Sequence, residues 1–197
     1  MTETTTGLPN AASAGAPSGD VPSAGAPSAD AGVARMIRVD HAGEYGAVRI
    51  YQGQLATLRG RGKAALIEHM LAQEQHHLRT FDDLIVDRAV RPTALLPVWH
   101  LAGFALGALT AALGERAAMA CTVAVEETID AHYQRQLDAL DQTEPALRAT
   151  ISRFRNEELE HRDTGLAHGA EQAPGYRLLR AVIKTGCRAA IALSERV

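Results

Sequence analysis

At 197 residues the chain is long enough for one domain with a sizeable core. A net charge of -3, with Lys and Arg scattered rather than gathered into a stripe, excludes a nucleic-acid binder. The cysteines, Cys121 and Cys187, are far apart and form no C-x-x-C, which excludes a zinc knuckle or a disulfide framework, while a helix-forming composition with only 4% aromatic residues points to an all-α fold.

In chain order, residues 1–33 come first. They are mostly Ala, Gly, Pro, Ser and Thr, with near-duplicate ten-residue units starting at Ser13 and Ser23. Such a segment buries too little apolar surface to offset its ordering entropy, so it is expected to be a disordered tail ahead of a domain over 34–197. The first Arg is Arg35, and there is neither a basic n-region nor an apolar h-region. A secretory or mitochondrial leader is therefore not expected, which favours the cytoplasmic side.

Helices are predicted over 35–59, 62–88, 115–141, 144–169 and 174–194, with breaks at Gly60/Gly62, Arg91-Pro92, Gly114 and Pro145. Between the second and third lies Leu95–Leu113, nineteen residues without a charged side chain, interrupted by Pro97, Gly103 and Gly107. The length is borderline for a span of about 20 residues. A helix lying in the membrane interface suits Trp99, His100 and these interruptions better than either a full span or a wholly buried connecting helix.

Two predicted helices contain Glu-x-x-His: Glu74 with His77, and Glu158 with His161. Residues three apart share a helix face, so each pair can present an oxygen and a nitrogen to one ion. A single such pair usually marks a solvated face. Helical phase changes that reading here. The apolar stripe through Met70, Phe81, Leu84 and Ile85 contains Glu74 and His77, and that through Leu147, Ile151 and Phe154 continues into Glu158, His161 and Gly165. Buried charge without a partner costs several kcal/mol, so two inward pairs call for a compensating ion.

Two other helices place one carboxylate inward. Glu44 shares a stripe with Ile37, Val48, Tyr51, Leu55 and Leu58, and Glu126 with Met119, Ile129, Tyr133, Leu137 and Leu140. Phase prefers Glu126 to Glu127, His77 to His76, and Glu158 to Glu157. Tyr51 and Tyr133, seven residues beyond the two lone glutamates, are candidates to hydrogen-bond around them. His41, one turn before Glu44, and Asp130, one turn after Glu126, are candidates to orient a ligand, and His132 is a candidate for electron or proton delivery. His69 and His168 read as surface residues, His100 as an interfacial one.

The order is Glu44, Glu74-x-x-His77, Glu126, Glu158-x-x-His161: one pattern used twice. It matches the ferritin-like four-helix bundles that hold a pair of metal ions through one Glu from each of two helices and Glu-x-x-His from the other two. The expected fold is that bundle with an added apolar connecting helix and a C-terminal helix. Carboxylate and imidazole donors suit iron or manganese, and oxygen chemistry favours two iron ions per chain.

At these residues the chain resembles a known family. The runs Arg38-Val39-Asp40-His41-Ala42-Gly43-Glu44-Tyr45-Gly46-Ala47, Ala120-Cys121-Thr122-Val123-Ala124-Val125-Glu126-Glu127 and Glu157-Glu158-Leu159-Glu160-His161, with the ending Leu193-Ser194-Glu195-Arg196, are similar to the demethoxyubiquinone hydroxylases of ubiquinone biosynthesis. The similarity extends from Arg35 to the end. It implies a di-iron monooxygenase, peripheral on the cell membrane, that uses O2 to hydroxylate the ring of a polyprenylated demethoxyubiquinol. It also implies that the six positions are the ligands, with Glu74 and Glu158 bridging. No dinucleotide fingerprint is present, so electrons are expected from an external donor or from the reduced substrate. The oligomeric state is left open, between a homo-oligomer and an assembly with another ubiquinone-biosynthesis protein. The ligand pattern by itself also admits a ferritin-like iron store or a rubrerythrin-like peroxidase; the uncharged segment and the absence of added Cys pairs weigh against these.

Overall fold

The computed structural model describes residues 1–2, 31–60, 62–140, 142 and 144–197. The expected disordered tail lies, from residue 3 to residue 30, outside the described residues. Six α-helices follow: α1 (Ala31–Leu58), α2 (Ala64–Asp87), α3 (Leu96–Ala112), α4 (Glu115–Ala139), α5 (Pro145–Ala167) and α6 (Tyr176–Ser194), with a 3₁₀ turn at Ala170–Gln172. No strand occurs among the described residues, and the all-α expectation holds. The first helix starts at Ala31, a turn earlier than expected from the sequence.

Helix ends fall where local chemistry puts them. Pro97 and Pro145 sit in the first turns of α3 and α5, where a missing N–H leaves nothing unpaired. Gly114 separates α3 from α4 with φ 113°, a conformation that side-chain-bearing residues rarely adopt.

Helices α1 and α2 form one antiparallel hairpin, and α4 and α5 a second. Contacts at their ends fix the directions: His41 bonds Asp82 at 2.9 Å between α1 and α2, and Gln54 on α1 donates to the Ala118 carbonyl on α4 at 3.2 Å. Helix α3 is the crossover between the hairpins and runs parallel to α1, with Tyr45 bonded to His100 at 2.7 Å and Thr57 donating to the Ala108 carbonyl at 3.4 Å. One long crossover is the connectivity of the ferritin-like bundle.

The uncharged segment is buried on one side only, unlike a wholly buried connecting helix. One face of α3 is buried on α1 through glycines. A Cβ at Gly107 would lie 1.9 Å from the Ile50 carbonyl oxygen, and one on Gly53 of α1 would lie 2.1 Å from the Phe104 carbonyl oxygen, so neither position tolerates a side chain. The other face leaves Val98, Leu101, Leu109 and Leu113 exposed. No helix among the described residues is long and apolar enough to cross a membrane. Helix α6 is held on α4 by the Glu127 carboxylate, which accepts from Arg180 and Lys184, each at 2.7 Å. Trp99 on α3 donates to Ser194 at the end of α6 at 3.1 Å.

Among the described residues the apolar interior forms three clusters, one of which, Ile50, Cys121, Ala124, Val125 and Ile183, joins α1 and α4 to α6, while the other two lie within the four-helix bundle. One of these two gathers Tyr51, Leu58, Ile67, Met70, Met119 and Val123; the other gathers Ile37, Phe81, Tyr133, Leu147, Ile151 and Phe154. Helices α1, α2 and α4 each run from one cluster through a short polar stretch into the other, and α5 leads from the second cluster into the same stretch. The expected inward stripes are thus present, with their polar members in one layer between two apolar plugs.

Candidate metal centre

That layer consists of Glu44 from α1, Glu74 and His77 from α2, Glu126 from α4, and Glu158 and His161 from α5, none more than 3% exposed. Their donor atoms fall into two overlapping groups. Glu44, Glu74, His77 and Glu158 can each offer an atom within 4.8 Å of the others, as can Glu74, Glu126, Glu158 and His161. Glu74 and Glu158 belong to both. All six positions singled out from the sequence meet here.

Both histidines turn Nδ1 into the layer. His77 Nδ1 lies 3.0 Å from Glu158 and 3.4 Å from Glu44, and His161 Nδ1 lies 3.0 Å from Glu74 and 3.1 Å from Glu158. Their outer nitrogens are held by residues that sequence reasoning passed over. His77 Nε2 is 2.5 Å from Glu157, and His161 Nε2 is 3.1 Å from Gln73. Each holder immediately precedes the shared glutamate of the opposite Glu-x-x-His helix. The repeated motif contained that signal, but the pairing across helices did not follow from phase.

The tyrosines also cross over. Tyr51 donates to Glu126 at 2.8 Å, and Tyr133 donates to Glu44. Each was expected beside a ligand, and each serves the glutamate of the other helix. Two turns along one helix carry a side chain about 10 Å from its own glutamate. The antiparallel register that sets Glu44 level with Tyr133 also sets Tyr51 level with Glu126.

Other expected neighbours are elsewhere. Asp130 does not orient Glu126: one turn on, it lies at the α4–α5 seam and accepts from Arg155 at 2.6 Å. His41 is taken by Asp82. His132 meets Asp40 at 3.1 Å, and Gln136 donates to the same Asp40 oxygen at 2.7 Å, a buried trio whose carboxylate lies one turn before Glu44. His69 and His168 are exposed, as expected.

Burial and mutual repulsion dominate the electrostatics of the layer. Burial pushes the carboxyls of Glu44, Glu74 and Glu126 above their ordinary range, and the negative charge of Glu158 adds to the shift. Burial acts on Glu158 in the same direction, but a hydrogen bond from His161 and the neighbouring His77 imidazole outweigh it and hold that carboxyl at about 2. Burial lowers both histidines, and the surrounding carboxylates more than reverse this, leaving both raised. Burial and the adjacent glutamates push Tyr51 and Tyr133 well above their ordinary value, so both remain hydroxyl donors.

Several buried donor atoms have no hydrogen-bond partner: Glu44 Oε2, both carboxylate oxygens of Glu74, and His77 Nδ1. Native interiors rarely tolerate such orphans, each of which costs roughly 1–3 kcal/mol. All of them face the layer, so the residues present fit bound metal cations. Beside the layer, between α1, α3, α4 and α6, lies an apolar cavity of about 430 Å³ whose walls include Gly43, Ala47, Leu106, Val125 and Ile129. Two of these adjoin the layer in sequence: Gly43 precedes Glu44, and Val125 precedes Glu126.

Four antiparallel helices sharing a buried layer of four carboxylates and two imidazoles define the class, a ferritin-like carboxylate–histidine bundle. Comparison with known proteins narrows it. The family described as "Ubiquinone biosynthesis protein COQ7" matches residues 31–194, and the chain belongs to this family. A Rhodospirillum rubrum relative, "3-demethoxyubiquinol 3-hydroxylase", is 60% identical over 166 residues, covering 84% of this chain and 78% of its own. The mouse "NADPH-dependent 3-demethoxyubiquinone 3-hydroxylase, mitochondrial" is 55% identical over 170 residues, with coverage of 84% and 78%. The Saccharomyces cerevisiae "5-demethoxyubiquinone hydroxylase, mitochondrial" is 43% identical over 180 residues, with coverage of 83% and 77%.

The protonation pattern predicts how stability of the metal-free protein varies with pH. Raised carboxyls and raised histidines bind protons in the folded state that the unfolded chain releases, so their contribution is lost as pH rises through the folded values. Glu158 works oppositely, contributing above the ordinary carboxylate range and losing that as pH falls toward about 2. Thermal melts of chelator-treated protein should show the melting temperature falling from about pH 6 to about pH 9, with bound metal flattening the trend. A metal-free melting temperature that climbs over that range would contradict the assigned protonation.

Proposed function

We propose that this chain is a demethoxyubiquinol hydroxylase of ubiquinone biosynthesis, with two iron ions per chain in the Glu44/Glu74/His77/Glu126/Glu158/His161 layer and the quinol ring in the adjacent cavity. The observation that carries the reading is the juxtaposition of two donor groups sharing Glu74 and Glu158 with an apolar cavity large enough for a substituted ring and the start of an isoprenoid tail. The names of the relatives support the substrate class. An iron store or a peroxidase would have no use for such a cavity, and the Rhodospirillum rubrum, mouse and Saccharomyces cerevisiae relatives are all named hydroxylases.

The overall change replaces a ring C–H by C–OH. One oxygen atom of O2 enters the ring and the other leaves as water, with two electrons and two protons from a reductant. A bound iron pair supplies the reduction and cleavage of dioxygen that side chains alone do not perform. Glu44 with His77 would hold one ion and Glu126 with His161 the other, while Glu74 and Glu158 belong to both donor groups. Tyr133 and Tyr51 hold the outer glutamates, and Glu157 and Gln73 fix the imidazole rings. The apolar plugs above and below exclude water. The Asp40–His132 pair, at the edge of a surface pocket containing Arg35 and Arg135, is the candidate route for protons or electrons to Glu44. The "NADPH-dependent" of the mouse relative's name supports an external donor.

In cells lacking the protein, the demethoxy quinone should accumulate and ubiquinone should disappear. The wild-type gene should restore it, while Glu44→Ala and His161→Ala should not, and Tyr51→Phe should reduce turnover by roughly 10–100-fold. With labelled O2, one labelled atom should enter the ring hydroxyl. Label arriving from water, or no accumulation of the intermediate, would refute the hydroxylase.

We further assign the protein to the cytoplasmic face of the cell membrane as a peripheral protein, attached through the exposed apolar side chains of α3 and the neighbouring Leu178, Val182 and Leu193 of α6. Anionic liposomes should carry the protein upward in a flotation gradient, and Leu101→Asp with Leu109→Asp should leave it at the bottom. Equal flotation of the two would remove this face from the membrane contact.

A further inference from the structure

Helix α1 carries three interior glycines whose surroundings differ. A glycine inside a helix costs about 1 kcal/mol relative to alanine, so each calls for a reason. Gly53 has one in the fold itself, because α3 passes so close that a Cβ would overlap the Phe104 backbone. Gly43 and Gly46 have none. A Cβ at Gly46 would meet nothing within 4 Å, and one at Gly43 would meet only the Ile129 methyl at 3.9 Å, an ordinary contact. Both line the cavity, and both flank Glu44 in sequence, Gly43 one residue before it and Gly46 two residues after. Packing of the protein against itself therefore accounts for Gly53 and leaves these two unexplained.

We propose that Gly43 and Gly46 are specificity-determining positions, bare so that a flat ring lies directly against the α1 backbone at the edge of the metal layer. The inference rests on the assignment of the cavity to the quinol ring. Without side chains at these positions, the cavity floor follows the helix backbone and a planar ring can approach Glu44 more closely than a methyl group would allow. Ala47, the next floor residue, already carries a Cβ and bounds the slot. Discrimination follows from shape. A flat ring fits, whereas a floor raised by one methyl group presses on ring or substituents, and the surrounding helices have little freedom to give way.

The chain contains a single tryptophan, Trp99, and it lines the same cavity, so ring occupancy can be read without turnover. The full-length purified protein is titrated with a demethoxyquinone bearing one isoprene unit, following quenching of Trp99 emission, alongside thermal melts and steady-state kinetics. Gly43→Ala and Gly46→Ala should each raise the melting temperature by about 2–4 °C, since a helix penalty is removed and nothing clashes. Each should weaken quinone binding by about tenfold and raise KM accordingly. An unchanged dissociation constant in a variant that melts at or above the wild-type temperature would overturn the proposal and leave the cavity assignment standing. A lowered melting temperature would also overturn it, because the glycines would then serve the fold. Failure of the quinone to quench Trp99 in the wild type would sink the cavity assignment, and the proposal with it.

Discussion

Concentrating four carboxylates and two imidazoles in the middle of a small helical bundle is the constraint on which the rest of this structure depends. Left to themselves, charges this deep are expelled or neutralised at a cost of several kcal/mol each. Here the histidines compensate only in part, since Glu74 has neither oxygen hydrogen-bonded. The protein tolerates this by placing an apolar plug on each side of the layer and linking neighbouring helices with hydrogen bonds that end on its carboxylates and imidazoles.

The arrangement is a repeat read across an antiparallel axis. Each hairpin supplies a lone Glu on its first helix and Glu-x-x-His on its second, and each supplies the other hairpin's supports: Tyr51 for Glu126, Tyr133 for Glu44, Gln73 for His161 and Glu157 for His77. No half is complete alone. The repeat is imperfect where it bears on charge, because one histidine is held by a carboxylate and the other by an amide. The outer helices add what the bundle lacks: α3 and α6 wall a cavity against the layer and carry the exposed apolar side chains.

Which parts of this were legible in the sequence follows from the range of each interaction. The inward stripes were legible, since a 3.6-residue period puts Glu74 and His77 in line with Met70 and Phe81 whatever lies opposite. The two-fold use of the ligand pattern was legible for the same reason. What lies opposite was not. Tyr51 reads from its spacing as a hydrogen-bonding neighbour of Glu44, whereas its actual partner, Glu126, depends on the antiparallel register. Glu157 lies off the inward phase of its own helix, yet it reaches His77 from the facing helix. Asp130 has a suitable spacing and the wrong seam, where Arg155 takes it. The uncharged segment gave its helix but not its packing, because composition does not reveal that Gly53 and Gly107 bring α1 and α3 into backbone contact. The tail expected over 1–33 is cut short by α1, which starts at Ala31, and residues 3–30 lie outside the described residues.

The central claim is that one buried layer binds two metal ions through shared carboxylates. Anaerobic titration with ferrous iron, followed by equilibrium dialysis, measures this directly. The wild-type chain should bind two equivalents, and Glu158→Ala should lose both together, because that carboxylate belongs to both donor groups. Two full equivalents retained by Glu158→Ala would contradict the claim.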